Sequence, residues 1–367
     1  MSVAPIGWVA GRLYAAAGWL TGPRSPDDYL RWVDPMLSTR HPAGRVVAVR
    51  AETAEATTLT IRTGRGWSGH RPGQYVPVGV EVDGVRVWRT YSLTSLPGRA
   101  DGCVEITVKA RPGGCVSPLL AHRTLPGQVL RLGPAQGEFT LPTLLPQRLL
   151  MLTAGTGITP AMGLLRALAH RPHAGLDVLL LHSVPGADDC LFRDELRSMA
   201  SRLPWLRLHE HHTRGHSGPT GRLTLRQMAE LCPDWPERET YACGPESMLD
   251  GIQRHWARAG VARRLHVERF VRTVRALPRT PRVGGPVRFV RSGVEAEADD
   301  SAPLLEVGES AGVLLPYGCR QGICHGCVAA LTYGHARDLR TGEIHTEPGR
   351  LIQTCVSAAA GPLGLDI

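Results

Sequence analysis

The sequence predicts a multidomain chain: a small antiparallel β barrel, then an α/β unit on a parallel sheet, then a short α+β module. Three observations carry that expectation. The stretches GRVVAVRAETAEATTLTIRTG and GCVEITVKARPGG alternate apolar and polar residues between Gly/Pro turns, as half-buried antiparallel strands do. From residue 148 the rhythm changes. RLLMLTAGTGITPAMGLLRALA is an apolar run, a glycine turn and a helical pattern, and buried strands then alternate with helices, as around a parallel sheet. Last, three cysteines fall within GCRQGICHGC, beyond an Arg/Pro/Gly-rich stretch that lacks a core pattern.

A chain of 367 residues has room for two or three cores, and 43% hydrophobic with 20% charged residues is ordinary globular composition. The formal charge of +9 is uneven: residues 286–367 hold 10 acidic and 6 basic side chains, −4, which leaves +13 on the rest. A basic body and an acidic module suggest electrostatic docking between them. No recognition motif accompanies the charge, so nucleic acid is not an expected partner. Nine cysteines, odd in number and spread along the chain without a secretory n-region, do not read as a disulfide framework. The apolar stretch IGWVAGRLYAAAGWLTG carries Arg12 and is too short and interrupted to span a membrane. Ile6, Val9, Leu13 and Leu20, with Trp8 and Trp19, suit one helical face packed on the body. The expected location is the cytoplasm, and the alternative is peripheral contact with the inner face of the membrane through residues 6–22.

In chain order, residues 1–41 form an extension, 42–145 the barrel, 146–270 the α/β unit, 271–285 a tether and 286–367 the acidic module. Within the α/β unit, GLDVLLLHSV is a second buried strand and WLRLHEH an alternating one. RLTLRQMAEL and ESMLDGIQRHWARAG are helices, with the strand ETYACGP between them. VRTVRALPRTPRVGGP is the tether. VRFVRSGVEAEADD reads as a hairpin, and SAPLLEVGESAG as a helix capped by Ser301.

Four stretches carry chemistry. Cys319-x4-Cys324-x2-Cys327 has plant-type [2Fe–2S] spacing, with Cys355 as the distant fourth ligand; structural zinc prefers paired short gaps. Gly318, Gly322 and Gly326 let the loop wrap closely. Its outer residues Arg320, Gln321, Ile323 and His325 are expected to meet the acceptor. In WRTYSLTS, the Arg89 fork suits a diphosphate and the Tyr91 ring a flat heterocycle, although an R-x-Y-S string also suits a plain surface strand. Gly113 and Gly114 before Ser117 form a phosphate-cradle pattern. In TAGTGITPAMGLL, Gly155 and Gly157 open a helix after a buried strand; this is pyrophosphate-binding context, and a simple turn is the bland alternative. In YACGPESM, Cys243, Gly244 and Pro245 end a parallel strand, where open sheets place ligands. Cys103, Cys115, Cys190, Cys232 and Cys243 show no ligand spacing and read as buried thiols by default. His209, His211, His212 and His216 continue a strand pattern rather than a metal site.

Taken together, these stretches resemble the ferredoxin–NADP reductase superfamily fused to a C-terminal plant-type ferredoxin domain, over about residues 42–367. PDDYLRWVDPMLS, LHSVPGADD and CRQGICHGCV with GHARDLRTGEIH extend the likeness to bacterial NADPH oxidoreductases that serve stearoyl-CoA (acyl-CoA) desaturases. The resemblance implies a six-stranded antiparallel flavin barrel, an NAD(P)-binding α/β domain and a β-grasp ferredoxin domain. It implies FAD (FMN also fits the motif), NADPH or NADH, and a [2Fe–2S] cluster. A membrane di-iron acyl-CoA desaturase would be the acceptor, or else the oxygenase component of a ring-hydroxylating dioxygenase or other monooxygenase.

By that likeness Arg89, Thr90, Tyr91 and Ser92 hold the flavin, with Ser92 near its reactive edge. Val108 and Lys109 line the ring or ribityl chain, and Gly113, Gly114, Cys115 and Ser117 hold phosphates. Gly155, Thr156, Gly157 and Thr159 meet the dinucleotide. Cys243, Gly244 and Pro245 flank the nicotinamide, and Glu268 and Phe270 lie near the flavin. Ser92 and Cys243 are the catalytic candidates. Pro185, Gly186, Asp188 and Asp189 stand where many NADPH-using relatives carry an arginine; their carboxylates would repel a 2′-phosphate, and Arg214 or Arg222 would supply the charge. The implied relay runs by hydride to flavin and then by single electrons through the cluster. The tether would let the acidic module swing between flavin edge and acceptor. A redox-sensing module with little turnover is the alternative from another class.

Overall fold

Three sheets organise the chain, and the residues between them explain how the pieces meet. The computed structural model describes residues 34, 36, 42–82, 85–214, 221–270, 284–318, 320, 322 and 326–367. The expected N-terminal helix, most of the tether, His216, Cys319, Gln321, Ile323, Cys324 and His325 lie outside the described residues.

The first sheet contains β1 (Ala43–Thr53), β2 (Ala56–Thr63), β3 (Tyr75–Val82), β4 (Val85–Ser92), β5 (Cys103–Lys109) and β6 (Val129–Leu132), in the order β4-β3-β6-β1-β2-β5. All pairs are antiparallel, and a bridge between Leu93 and Ile106 brings the two edges together as a barrel. The period-2 pattern explains the core. Leu59 and Ile61 of β2, Val76 and Val78 of β3, and Ile106 and Val108 of β5 all point inward and are buried.

The second sheet is wholly parallel, in the order β11-β10-β7-β8-β9: β7 (Arg148–Ala154), β8 (Asp177–Val184), β9 (Leu206–His212), β10 (Glu239–Cys243) and β11 (Leu265–Glu268). Its strands read as continuous apolar runs because both faces are covered. Leu149 and Met151 enter one core while Leu150 and Leu152 enter the other; Leu180 and Leu181 divide the same way. Helix α2 (Ile158–Ala169) follows β7, α3 (Arg193–Arg202) follows β8, α4 (Leu225–Leu231) follows β9, and α5 (Glu246–Arg258) follows β10. A short helix α1 (Ser117–His122) belongs to the barrel. Thr224 caps α4 in a reciprocal capping box with Gln227.

The acidic module is a mixed sheet. The expected hairpin forms from β12 (Gly285–Phe289) and β13 (Val294–Ala298); β17 (Ser357–Leu365) runs parallel to β12 and antiparallel to β14 (Val328–Asp338). Short strands β15 (Ile344–His345) and β16 (Leu351–Gln353) also pair with β14. Helix α6 (Leu304–Ser310) starts later than the Ser301 cap predicts. Pro303 is its N-cap, and Ser301 instead bonds Asp299 through its amide and hydroxyl at 2.7 and 2.6 Å. A local Asx-type turn has outcompeted the cap.

Charge alone does not explain how the module meets the body. The module's ion pairs Arg288–Glu295, Arg291–Asp366, Arg320–Glu309 and Arg340–Asp338 all close within the module. Contacts across the junction among the described residues include an aromatic ring and a carbonyl bond. Tyr317 packs against the barrel core, and Arg89 reaches the Gly318 carbonyl at 2.6 Å.

Candidate functional site

Strand β4 carries Arg89, Thr90, Tyr91 and Ser92 at one edge of the barrel sheet, paired only with β3 (Val78 opposite Arg89, Tyr75 opposite Ser92). Arg89 Nη1 donates to the carbonyls of Trp88 and Gly318 at 2.8 and 2.6 Å, and its Nη2 lies 3.9 Å from Cys115 Sγ. The arginine and the glycine turn that sequence pairs as a phosphate cradle therefore lie together. Gly113 has φ +73° and open space where a Cβ would stand, so this turn suits glycine and leaves room for a ligand. Ser117 Oγ accepts the Arg111 amide at 3.0 Å, which fixes the turn's far end. Burial pushes the Tyr91 phenol above its ordinary range, so it stays neutral. Val108 is 1% exposed and packs in the barrel core, which leaves only its backbone to face a ligand. Lys109 Nζ sits 3.3 Å from Glu55 and 3.9 Å from Asp189, on the seam between barrel and α/β unit.

That seam also joins the ends of β4 and β7. Thr159 Oγ1, at the start of α2, lies 3.2 Å from Ser92 Oγ and donates to the Thr156 carbonyl at 2.9 Å. Deeper in, Arg166 of α2 donates to the Thr94 carbonyl (2.8 Å), Glu105 (2.9 Å) and Glu195 (2.7 Å), and is 13% exposed. Sequence reading missed Arg166. A lone arginine in the third turn of an apolar helix was its only signal.

The carboxyl ends of the parallel strands open into a cavity of about 720 Å³. Thr153, Gly155, Thr156 and Gly157 line one side, Pro185, Thr213, Arg222 and Thr224 another, and Gly244, Pro245, Ser247 and Phe270 close it. Gly157 is required by contact: a Cβ there would stand 2.1 Å from the Cys243 carbonyl. Cys243 itself is fully buried, and desolvation first, then Glu268, raises its thiol well above the ordinary value. Glu268 faces a second, polar cavity of about 620 Å³ that Tyr75, Glu138, Arg269 and Gly322 share at the junction of all three units.

The carboxylates expected to repel a 2′-phosphate face elsewhere. Asp188 lines a separate cavity of about 260 Å³ with Arg50 and Arg193, and Asp189 turns toward Lys109. The 3-10 turn Ala187–Asp189 carries them past the strand end. Arg222 lines the large cavity, its Nη1 3.4 Å from Ser247 Oγ; Arg214 does not line it.

At the cluster loop, Cys327 and Cys355 are buried, with Sγ atoms 3.1 Å apart, too far for a disulfide's ~2.05 Å. The Gly322 amide points at Cys355 Sγ at 3.3 Å, a donor aimed at sulfur. Arg340 holds the loop from behind through the Gly322 carbonyl at 2.8 Å and Asp338. Buried sulfurs that meet an amide donor and a nearby guanidinium fit thiolate ligands. Arg320 adopts φ +57°, pairs with Glu309 and lies over the Tyr317 ring at 4.4 Å.

A barrel with a phosphate cradle, a parallel sheet with a dinucleotide-sized cavity and a buried cysteine pair define a flavin- and iron–sulfur-dependent NAD(P)H oxidoreductase. Three family profiles agree: Oxidoreductase FAD-binding domain over residues 45–141, Oxidoreductase NAD-binding domain over 151–254, and 2Fe-2S iron-sulfur cluster binding domain over 288–360. The chain belongs to this family of FAD-, NAD(P)- and [2Fe–2S]-binding reductases. It is 46% identical over 364 residues to a Mycobacterium tuberculosis protein named NADPH oxidoreductase, covering 98% of this chain and 93% of that one. It is 30% identical over 319 residues to a glycine betaine monooxygenase reductase subunit of Pseudomonas aeruginosa, covering 81% and 87%. The solved phthalate dioxygenase reductase shares its fold at a TM-score of 0.55 and 24% identity, over 89% of this chain and 97% of that one. No helix among the described residues is long and apolar enough to cross a membrane.

Proposed function

We propose that this reductase takes electrons from NADPH and delivers them, through FAD and the [2Fe–2S] cluster, to a membrane di-iron fatty acyl-CoA desaturase. When bound, the cofactors accept a hydride from NADPH and release its two electrons singly. The chain's own residues bind and orient. Arg89 and the turn at Gly113 and Gly114 would hold the flavin diphosphate, with Thr90, Cys115 and Ser117 beside them. Tyr91 would pack on the ring, and Ser92 and Thr159 would stand where flavin and nicotinamide meet. Gly155, Thr156 and Gly157 would take the dinucleotide phosphates, and Cys243, Gly244, Pro245 and Phe270 would enclose the nicotinamide. Cys319, Cys324, Cys327 and Cys355 would hold the cluster.

The preference for NADPH rests on Arg222, which lines the cavity beside Thr213 and Ser247 while both nearby carboxylates face away. Arg222→Ala should raise the KM for NADPH about tenfold and leave that for NADH unchanged. Equal effects on both would remove this basis. The desaturase assignment rests on the resemblance of the segments named above and on likeness to an NADPH oxidoreductase over 98% of the chain. Reconstitution tests it: purified protein, NADPH and membranes that contain an acyl-CoA desaturase should yield desaturated acyl-CoA. The second reading, an oxygenase reductase, draws on the monooxygenase reductase subunits at 30% identity. Turnover with an oxygenase component and none with the desaturase would establish it instead.

A further inference from the structure

We infer that Trp88 and Arg89 form the seat on which the cluster module docks, and that Arg89 couples this docking to flavin occupancy. The inference rests on the reading of Arg89 as a flavin-phosphate ligand and goes beyond it. Strand β4 ends the sheet path, and the bridge that closes the barrel lies beyond it at Leu93, so the stretch around Trp88 and Arg89 presents a face to another element. The cluster loop covers it. Trp88 is 9% exposed although it is absent from the barrel core, and a Cβ on Gly326 would stand 3.1 Å from its ring. Glycine at 326 therefore lets the loop lie flat on the indole.

Next along the strand, Arg89 divides its guanidinium between two tasks. Nη1 is committed to the Gly318 carbonyl, one residue before the first cluster cysteine, and to the Trp88 carbonyl, while Nη2 faces Cys115 in the phosphate turn. A group held from one side loses less freedom when it binds on the other. Docking should therefore tighten flavin binding, and flavin should tighten docking by the same factor. Both are positioning residues: in each of the two one-electron transfers per NAD(P)H, the reduced flavin loses an electron and the oxidised cluster gains it, and the seat fixes the gap crossed.

The test uses the full-length holoprotein. In Trp88→Ala, flavin content, cluster absorbance and NADPH–ferricyanide reduction should match wild type. Flavin-to-cluster electron transfer in stopped flow should slow at least about tenfold, and deuterium uptake across Val85–Ser92 should rise. FAD titrated into flavin-free Trp88→Ala should bind about fivefold more weakly. Wild-type transfer rates and exchange protection in Trp88→Ala would overturn the seat, and unchanged FAD affinity would overturn the coupling. Arg89→Lys separates the underlying reading: if its FAD affinity equals wild type, Arg89 is not a flavin-phosphate ligand.

Discussion

Between the barrel and the α/β unit, Arg166 is buried among the Thr94 carbonyl, Glu105 and Glu195, and Gly163 brings α2 so close that a Cβ would stand 2.6 Å from the Leu93 carbonyl. Between the barrel and the cluster module, the contacts among the described residues include the Arg89–Gly318 guanidinium–carbonyl bond, the Tyr317 ring and the Trp88 indole beneath Gly326. Among the described residues, the first junction is closed by ion pairs and a close backbone approach, the second by a carbonyl bond and aromatic rings. The chemistry assigned to each explains the difference. Hydride transfer needs reacting atoms about 3–3.5 Å apart, so the units that bring flavin and nicotinamide together are fixed. An electron crosses a longer gap, and the module that carries it must also present its cluster to another protein.

The comparison can be broken from either side. The largest effect should come from Cys355→Ser, which should abolish cluster absorbance and reduction of one-electron protein acceptors while NADPH–ferricyanide activity persists. Loss of both activities together would mean that the two junctions do not work independently. Arg166→Met takes Glu195's partner away and leaves Glu105 with Arg99 alone, and should cost about 2 kcal/mol in chemical denaturation, with slower flavin reduction. The same small change should then separate the junctions. Gly163→Ala should cost about 2 kcal/mol by overpacking, and Gly326→Ala, whose new Cβ meets a ring at 3.1 Å, under about 1 kcal/mol.

The smallest effect concerns acid. His182 is fully buried in β8 with Nδ1 on Thr153 Oγ1 at 2.8 Å, and burial lowers it from the ordinary 6.5 to about 4. The folded protein thus favours neutral imidazole. This contribution is present above pH 6.5 and is lost as pH falls toward 4. Urea midpoints measured across that range should fall, and less steeply in His182→Gln.

Much of this was legible in the sequence because it rests on local pattern. The alternation around Leu59 and Ile61 and the apolar runs at 148–154 and 177–184 fix faces by period alone. The cysteine spacing and the glycines at 113, 155 and 157 name their chemistry through backbone needs. The junctions were not legible. Arg166 and Trp88 act on residues from distant parts of the chain, and nothing in their own neighbourhoods signals a partner. Net charge suggested electrostatic docking, but which carboxylates of the module are taken up within it, as Glu309 is by Arg320 and Asp338 by Arg340, is decided by the fold. The carboxylates of Asp188 and Asp189 were placed in the right loop, but only the 3-10 turn decides which way they face.

Anaerobic titration with NADPH, followed by absorbance and electron paramagnetic resonance, tests the relay most directly. Flavin accepts two electrons and the cluster one, so full reduction should take about 1.5 equivalents per chain and give the signal of a reduced [2Fe–2S] cluster. An end point at about one equivalent with no such signal would contradict the relay, because the electrons would stop at the flavin.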